Sequence, residues 1–472
     1  MGLSGGAAAS VVRMPEDPRQ EPEDEFRDML RELLSGNSDI DPAKLASAAG
    51  LPDDPEMIAQ LMSQLQAAMQ YSGDGVNWEI AREQAKSIAA TSSQSTSPAD
   101  RHALEAAFSI AALWLGEATF ISELTVTPRL MSRSEWVQAT MPVWTQLAEP
   151  VALSIANALT DVLRQQAPEE MSEMIDGASK LMRNVGGTLF AMQLGQVVGQ
   201  LSAEVVSGGD IGIPLLDASN GAELQAAILP QNIAPFGEGL DIEADQIQLY
   251  IAVRELAHAR LFRHAKWLRL QLMTSITEFA HGIRIDTDRL EELATDLDPS
   301  NPEELRQAMV SGALIPPKSE SQLTALDRLE TMLALIEGWV DVVTEHATTR
   351  LPSSRAIAET VRRRRAAGGP AESAFSTLVG LELRPRRLRE AAALWQAITD
   401  AIGAEARDDL WSHPDLLPVS TDIDDPAALI ARLTAGDAVD DEFDQAMEEL
   451  LNDTSDDRPR EQRDGTAEEP PA

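Results

Sequence analysis

Residues 326–347, LDRLETMLALIEGWVDVVTEHA, place Leu326, Leu329, Leu333, Ile336, Val340 and Val343 at helical spacing. A seam this long and apolar has to be buried against the rest of the chain. The same period recurs in 24–34 (Phe26, Met29, Leu30, Leu33) and in 77–90, which opens on the capping residue Asn77. It continues in 100–120 and in 134–166, where Pro142 and Pro150 predict a kink or break. Strand-like alternation is scarce and aromatic content is only 4%, so the predicted fold is mainly α, a multi-helix body.

Within 179–216, glycines 186, 187, 195 and 199 sit in a helical context. Gly195 and Gly199 are one turn apart and would let another helix approach closely. Their spacing matches no phosphate-binding loop. After SGGD the chain turns, and IGIPLL (211–216) is expected as a short strand. The ends differ from the body. Residues 1–21 read as disordered, 22–74 as an acidic helical segment, 75–430 as the main helical domain, and 431–472 as an acidic, partly disordered tail.

Charge limits the partners. With 38 basic and 77 acidic residues the net charge is −39, which repels nucleic acid and anionic membrane and leaves a protein or peptide as the expected partner. The arginines of VRRRRAAGGP (361–370) and RPRRLRE (384–390) are expected on exposed helix ends, answering acidic neighbours. No cysteine is present, and no stretch is apolar enough for a membrane span, so a cytoplasmic protein is expected.

Two helices break their own pattern. In the helix expected from Asp245 to about Gln271, Ile247, Ile251, Leu261 and Ala265 form a stripe that also carries Arg254 and His258, one turn apart. In the second, Glu337 and Asp341 interrupt the run MLALIEGWVDVV, and Gly338 leaves room for a neighbouring backbone. Unpaired charge is prohibitively costly on a core face. The economical reading is that the two helices cross, with Arg254 and His258 facing Glu337 and Asp341, and Glu255 pointing to the side.

The segments NWEIA (77–81), SRSEWV (132–137), GQVVGQ…GDIGIPLL (195–216), YIAVRELAHARLFRHAKWL (250–268), ALIEGWVDVV (334–343), LVGLELRPRRLREAAALW (378–395) and HPDLLP (413–418) occur in one order. On these the chain resembles the zincin-like family of bacterial zinc-dependent metalloproteases or hydrolases, some of them associated with coenzyme F420. The resemblance implies a degenerate H-E-x-x-H helix. His258 matches the second histidine, Glu255 the general base, and Glu337 a third ligand from a later helix, with Asp341 as a further oxygen. Arg254 takes the place of the first histidine, and a guanidinium has no lone pair for a metal. It supplies instead a cation of its own. A zinc or other divalent site would need His258, Glu337, Asp341 and a histidine from elsewhere, with His264, His281 and His346 as the candidates.

Two functions stay open at this level. One is a zinc-dependent hydrolase in which His258 and Glu337 hold the ion, Glu255 activates water and Arg254 stabilises an oxyanion. The other is a non-catalytic zincin-like scaffold or protein-interaction module, with an Arg–carboxylate cluster in place of the metal and no cofactor.

Overall fold

The computed structural model describes residues 76–166, 172–216, 226–283, 318–366 and 387–435. The expectations for 1–21, for 22–74 and for the tail beyond 435 lie outside these residues, as does RPRR at 384–387 except Arg387. The chain divides into two compact units. Of the described residues, one comprises 76–84, 148–166, 172–195, 280–283 and 318–319, and the other 85–147, 196–216, 226–279, 320–366 and 387–435.

The described residues are mainly helical. In chain order the elements are α1 (Trp78–Ser92), α2 (Pro98–Gly116), β1 (Arg129–Leu130), α3 (Arg133–Gln166), α4 (Ser172–Leu201), β2 (Ala227–Ile228), α5 (Pro230–Phe236), α6 (Ala244–His264) and α7 (Trp267–His281). There follow α8 (Glu320–Ala347), α9 (Ser354–Ala366), α10 (Leu388–Asp409) and the short α11 (Ser420–Asp424). None of the described helices is long and apolar enough to cross a membrane.

In the first unit, α1 and α4 pack through small residues. A Cβ on Gly195 would lie 2.5 Å from the Ala81 carbonyl oxygen, so only glycine permits this approach. Trp78 meets Phe190 edge-on at 6.2 Å. In the second unit, Gly199 lies in the same way against Ile88. Of the expected kink or break at the prolines, the break does not occur: α3 is helical through both. The carbonyls that Pro142 and Pro150 leave unpaired belong to Gln138 and Gln146, both exposed, where water can serve as donor.

The second unit is built around α6. Every residue from Tyr250 to Phe262 is buried, which is why its polar side chains must find partners inside the protein. Helix α6 packs on α2 and on α8, and α8 in turn on α10. A Cβ on Gly338 would stand 2.7 Å from the Ala392 nitrogen, so the mid-helix glycine does admit a neighbouring backbone. Trp339, Trp395 and Trp411 fill this layer; Trp395 stacks on Trp411 at 5.4 Å. Trp339 Nε1 donates to Asp408. The expected helix to Gln271 is two helices, because the chain leaves helical geometry at Ala265 before α7 begins.

Beside α6, β1 and β2 pair in parallel, with Arg129 opposite Ala227. Ser207 adds a single antiparallel bridge to Ile228. The expected strand at 211–216 is not one. Those residues form turns and bends, with Gly212 at φ +79°, a conformation that strand pairing does not allow.

Candidate functional site

The site lies where α6, α8, α9 and the turn segment 207–216 meet, all within the second unit. Helix spacing puts Arg254 and His258 on one face of α6, and crossing by α8 brings Glu337 onto them. Arg254 Nη2 donates to Glu337 Oε2. His258 Nε2 lies 3.1 Å from Glu337 Oε1, and its Nδ1 lies 3.1 Å from the Arg254 carbonyl oxygen. Asp341, one turn further along α8, has Oδ1 3.9 Å from Arg254 Nη1. Its Oδ2 accepts from Arg362 at 2.8 Å.

Sequence reasoning missed α9. Its arginine run was expected on an exposed helix end, yet three of its four arginines turn inward. Arg365 Nη1 reaches Glu337 Oε1 at 2.7 Å, with the arginine side chain only 11% exposed and the glutamate 1%. Arg365 also donates to the Asp210 carbonyl at 2.7 Å. Arg364 pairs with the Asp210 carboxylate at 3.1 Å, and Arg362 bridges Asp341 and Glu345. Arg363 keeps to the surface with Glu359. The run does answer acidic neighbours, as its composition suggested, but two of them, Glu337 and Asp341, are buried. A charge run shows the sign of its partners and not their depth.

Glu337 therefore serves three cationic or polar groups at once. Burial raises its pKa, but Arg365, then Arg254 and His258, outweigh burial and hold the carboxyl at about 2. Burial lowers the His258 pKa against the pull of Glu337. Both ring nitrogens face oxygen acceptors, so a neutral ring can donate to only one of them, Glu337 or the Arg254 carbonyl. Burial also works against the Arg254 charge, yet Glu337 and the other acids around it raise its pKa above the ordinary value.

Glu255 points away from this cluster. Its Oε2 accepts from the Gly209 N–H at 2.7 Å and its Oε1 from the Ala227 N–H at 2.8 Å. It thus ties α6 to β2 and to the turn segment. Burial pushes its pKa up to about 7, against the pull of those two N–H groups and of Ser207.

The glycines of SGGDIG explain themselves here. A Cβ on Gly209 would meet the His258 Cβ at 2.6 Å, and one on Gly212 would meet Glu337 Oε1 at 2.6 Å. The segment lies directly over both side chains. The cavity left beside Glu255 and His258 is about 10 Å³, bounded also by Pro214, Leu215 and Phe262. That is room for roughly one water.

The other histidines stay apart. His264 is exposed at the end of α6, and His281 is exposed and belongs to the first unit. His346 bonds Gln396 at 2.9 Å. Among the described residues no group of three or more His, Asp or Glu side chains is arranged to hold a metal ion.

The model of the zincin-like metallopeptidase family matches residues 76–430, and the chain belongs to that family. Among solved structures it is similar to "a putative hydrolase with a novel fold" from Chloroflexus aurantiacus, with a TM-score of 0.51 and 20% identity over 76% of this chain and 99% of that one. At that identity the likeness speaks for the fold alone. No curated protein matches the chain.

A family of this kind implies zinc. A zinc site takes three or four ligands with lone pairs to give. Here the first ligand position carries a guanidinium, Glu337 is engaged by Arg254 and Arg365, and His258 Nε2 faces Glu337. Asp341 is committed to Arg362. The residues present do not fit a zinc ion.

Proposed function

We propose that this chain is a zincin-like protein that binds another protein or peptide without cleaving it. The observation that supports this most directly is the closure of the motif. Glu337 is gripped by Arg254 and Arg365 beneath Gly212, and the adjoining cavity of about 10 Å³ has no room for a peptide. Glu255, the residue matching the general base, has both oxygens occupied by backbone N–H groups. Binding has a better candidate in the same unit. A groove of about 660 Å³ runs between Arg101, Glu105 and Phe108 of α2 and the segment Thr127–Leu130. That volume falls within the usual range for ligand sites. A reducing cytoplasm suits the absence of cysteine, and we place the protein there.

The test is direct. Full-length protein, purified without a histidine tag, is incubated with casein and with a quenched-fluorescence peptide library, with zinc or with chelator. The expected result is no turnover above that of His258→Ala. Chelator-sensitive turnover that His258→Ala abolishes would end this reading. It would restore the rival one, a zinc-dependent hydrolase, which the 3.1 Å approach of His258 to Glu337 favours.

A further inference from the structure

We propose that Arg254 and Arg365 together stand in for a divalent cation, forming a metal-independent clamp that holds α9 on α6 and α8 over a latent cation site. This rests on the reading of the site given above and adds to it a second cation, a role for α9 and a prediction about metal.

The charge arithmetic comes first. A divalent ion brings two positive charges to its carboxylate ligand, and Glu337 meets two guanidiniums, each on a different oxygen. Arg254 alone supplies half of that charge, and a buried carboxylate with one cation would leave the ion's role only partly filled. Arg365 supplies the rest from a helix some distance along the chain. Guanidinium suits this role because it stays protonated when buried and offers several directed donors.

The positions agree with the charges. His258 Nε2 and Glu337 Oε1 are 3.1 Å apart. Two ligands of one tetrahedral zinc at ordinary bond lengths stand about 3.3 Å apart. That pair therefore keeps nearly the separation that a shared ion would need. Arg365 touches the same Oε1, at 2.7 Å, so its nitrogen competes for the oxygen that an ion would take. Arg254 holds the position of the remaining family ligand.

The clamp has mechanical content as well. From α9, Arg365 grips Glu337 of α8 and the Asp210 carbonyl of the turn segment, while Arg364 takes the Asp210 carboxylate. Helix α9 and the covering segment are thus fastened to the same acid that the ion would have held. Stability that a zinc ion would supply is drawn here from side chains of the chain itself.

The experiment uses the full chain. Wild-type protein should contain no stoichiometric zinc and keep its melting temperature in chelator. Arg365→Gln should lower the melting temperature by several degrees and speed hydrogen exchange in 354–366 more than elsewhere. The double variant Arg254→His, Arg365→Gln should bind one zinc per chain by calorimetry and regain stability with it, and a further Glu337→Gln should abolish that binding. Near-stoichiometric zinc in the wild type overturns the proposal. So does a folded double variant that takes none, or an Arg365→Gln protein with unchanged melting and exchange. Should the double variant fail to fold, Arg365→Gln alone decides. A wild type inert toward peptides but indifferent to Arg365→Gln would sink the clamp and leave the functional reading standing.

Discussion

Arg254 and Glu337, 83 residues apart in sequence, form an ion pair in which both side chains are less than a tenth exposed. Removing one member of such a pair leaves the other charged and dry, which costs about 3–5 kcal/mol. Arg254→Ala should therefore destabilise the protein by about that much in chemical denaturation. Glu337→Ala should cost more, because it strands Arg365 as well. The double variant should cost less than the sum, since the two residues share one interaction. Additive losses would show that they do not.

Gly212 and Gly239 separate two causes of glycine preference. Both have positive φ, +79° and +78°, but only Gly212 has a neighbour in the way, Glu337 Oε1 at 2.6 Å from a built Cβ. Gly239→Ala should cost about 1 kcal/mol, from backbone strain alone. Gly212→Ala should cost clearly more and should disturb the Glu337 contacts. Equal losses in denaturant would mean that the turn segment does not rest on Glu337.

The two buried glutamates should give opposite pH responses. Glu255 titrates near 7 in the folded protein against 4.5 as its ordinary value, so the folded state holds the extra proton between those limits. Its contribution to stability is complete below about pH 4.5 and is lost as pH rises through 7, a change of about 3 kcal/mol at most. Glu337, held at about 2, contributes fully above 4.5 and loses that contribution as pH falls through 2. Carbon-13 detection of glutamate carboxyls should find one group titrating near neutrality and one still ionised well below pH 4. If every glutamate titrates near 4.5, these environments are wrong.

Gly338→Ala tests the crossing of α8 and α10. The added methyl would sit 2.7 Å from the Ala392 nitrogen and 2.8 Å from the Ala391 carbonyl carbon, both backbone atoms that cannot rotate aside. Alanine favours a helix by about 1 kcal/mol over glycine, but overpacking of this kind costs about 1–3 kcal/mol. A net loss of stability is expected, and a more stable variant would mean that the helices can part without penalty.

Much of this protein was legible in the order of its residues. Apolar side chains at helical spacing marked α6 and α8, and Arg254, His258, Glu337 and Asp341 were conspicuous because each stood on a face meant for the core. Charge placed there has to find a partner, so the crossing of the two helices followed from periodicity and desolvation alone. Local rules also had limits. Pro142 and Pro150 did not break α3, because a helix can lose a hydrogen bond where water replaces it.

What tertiary structure alone decided was who completes the cluster and what covers it. Nothing in VRRRRAA distinguishes Arg365, turned in against Glu337, from Arg363, on the surface, since helix rotation against its neighbours sets which side faces in. The turns of 207–216 and the turning aside of Glu255 to Gly209 and Ala227 likewise depend on backbone groups brought together from distant parts of the chain. Periodicity tells a residue which face it shares, but burial and partner depend on what the rest of the molecule lays against that face.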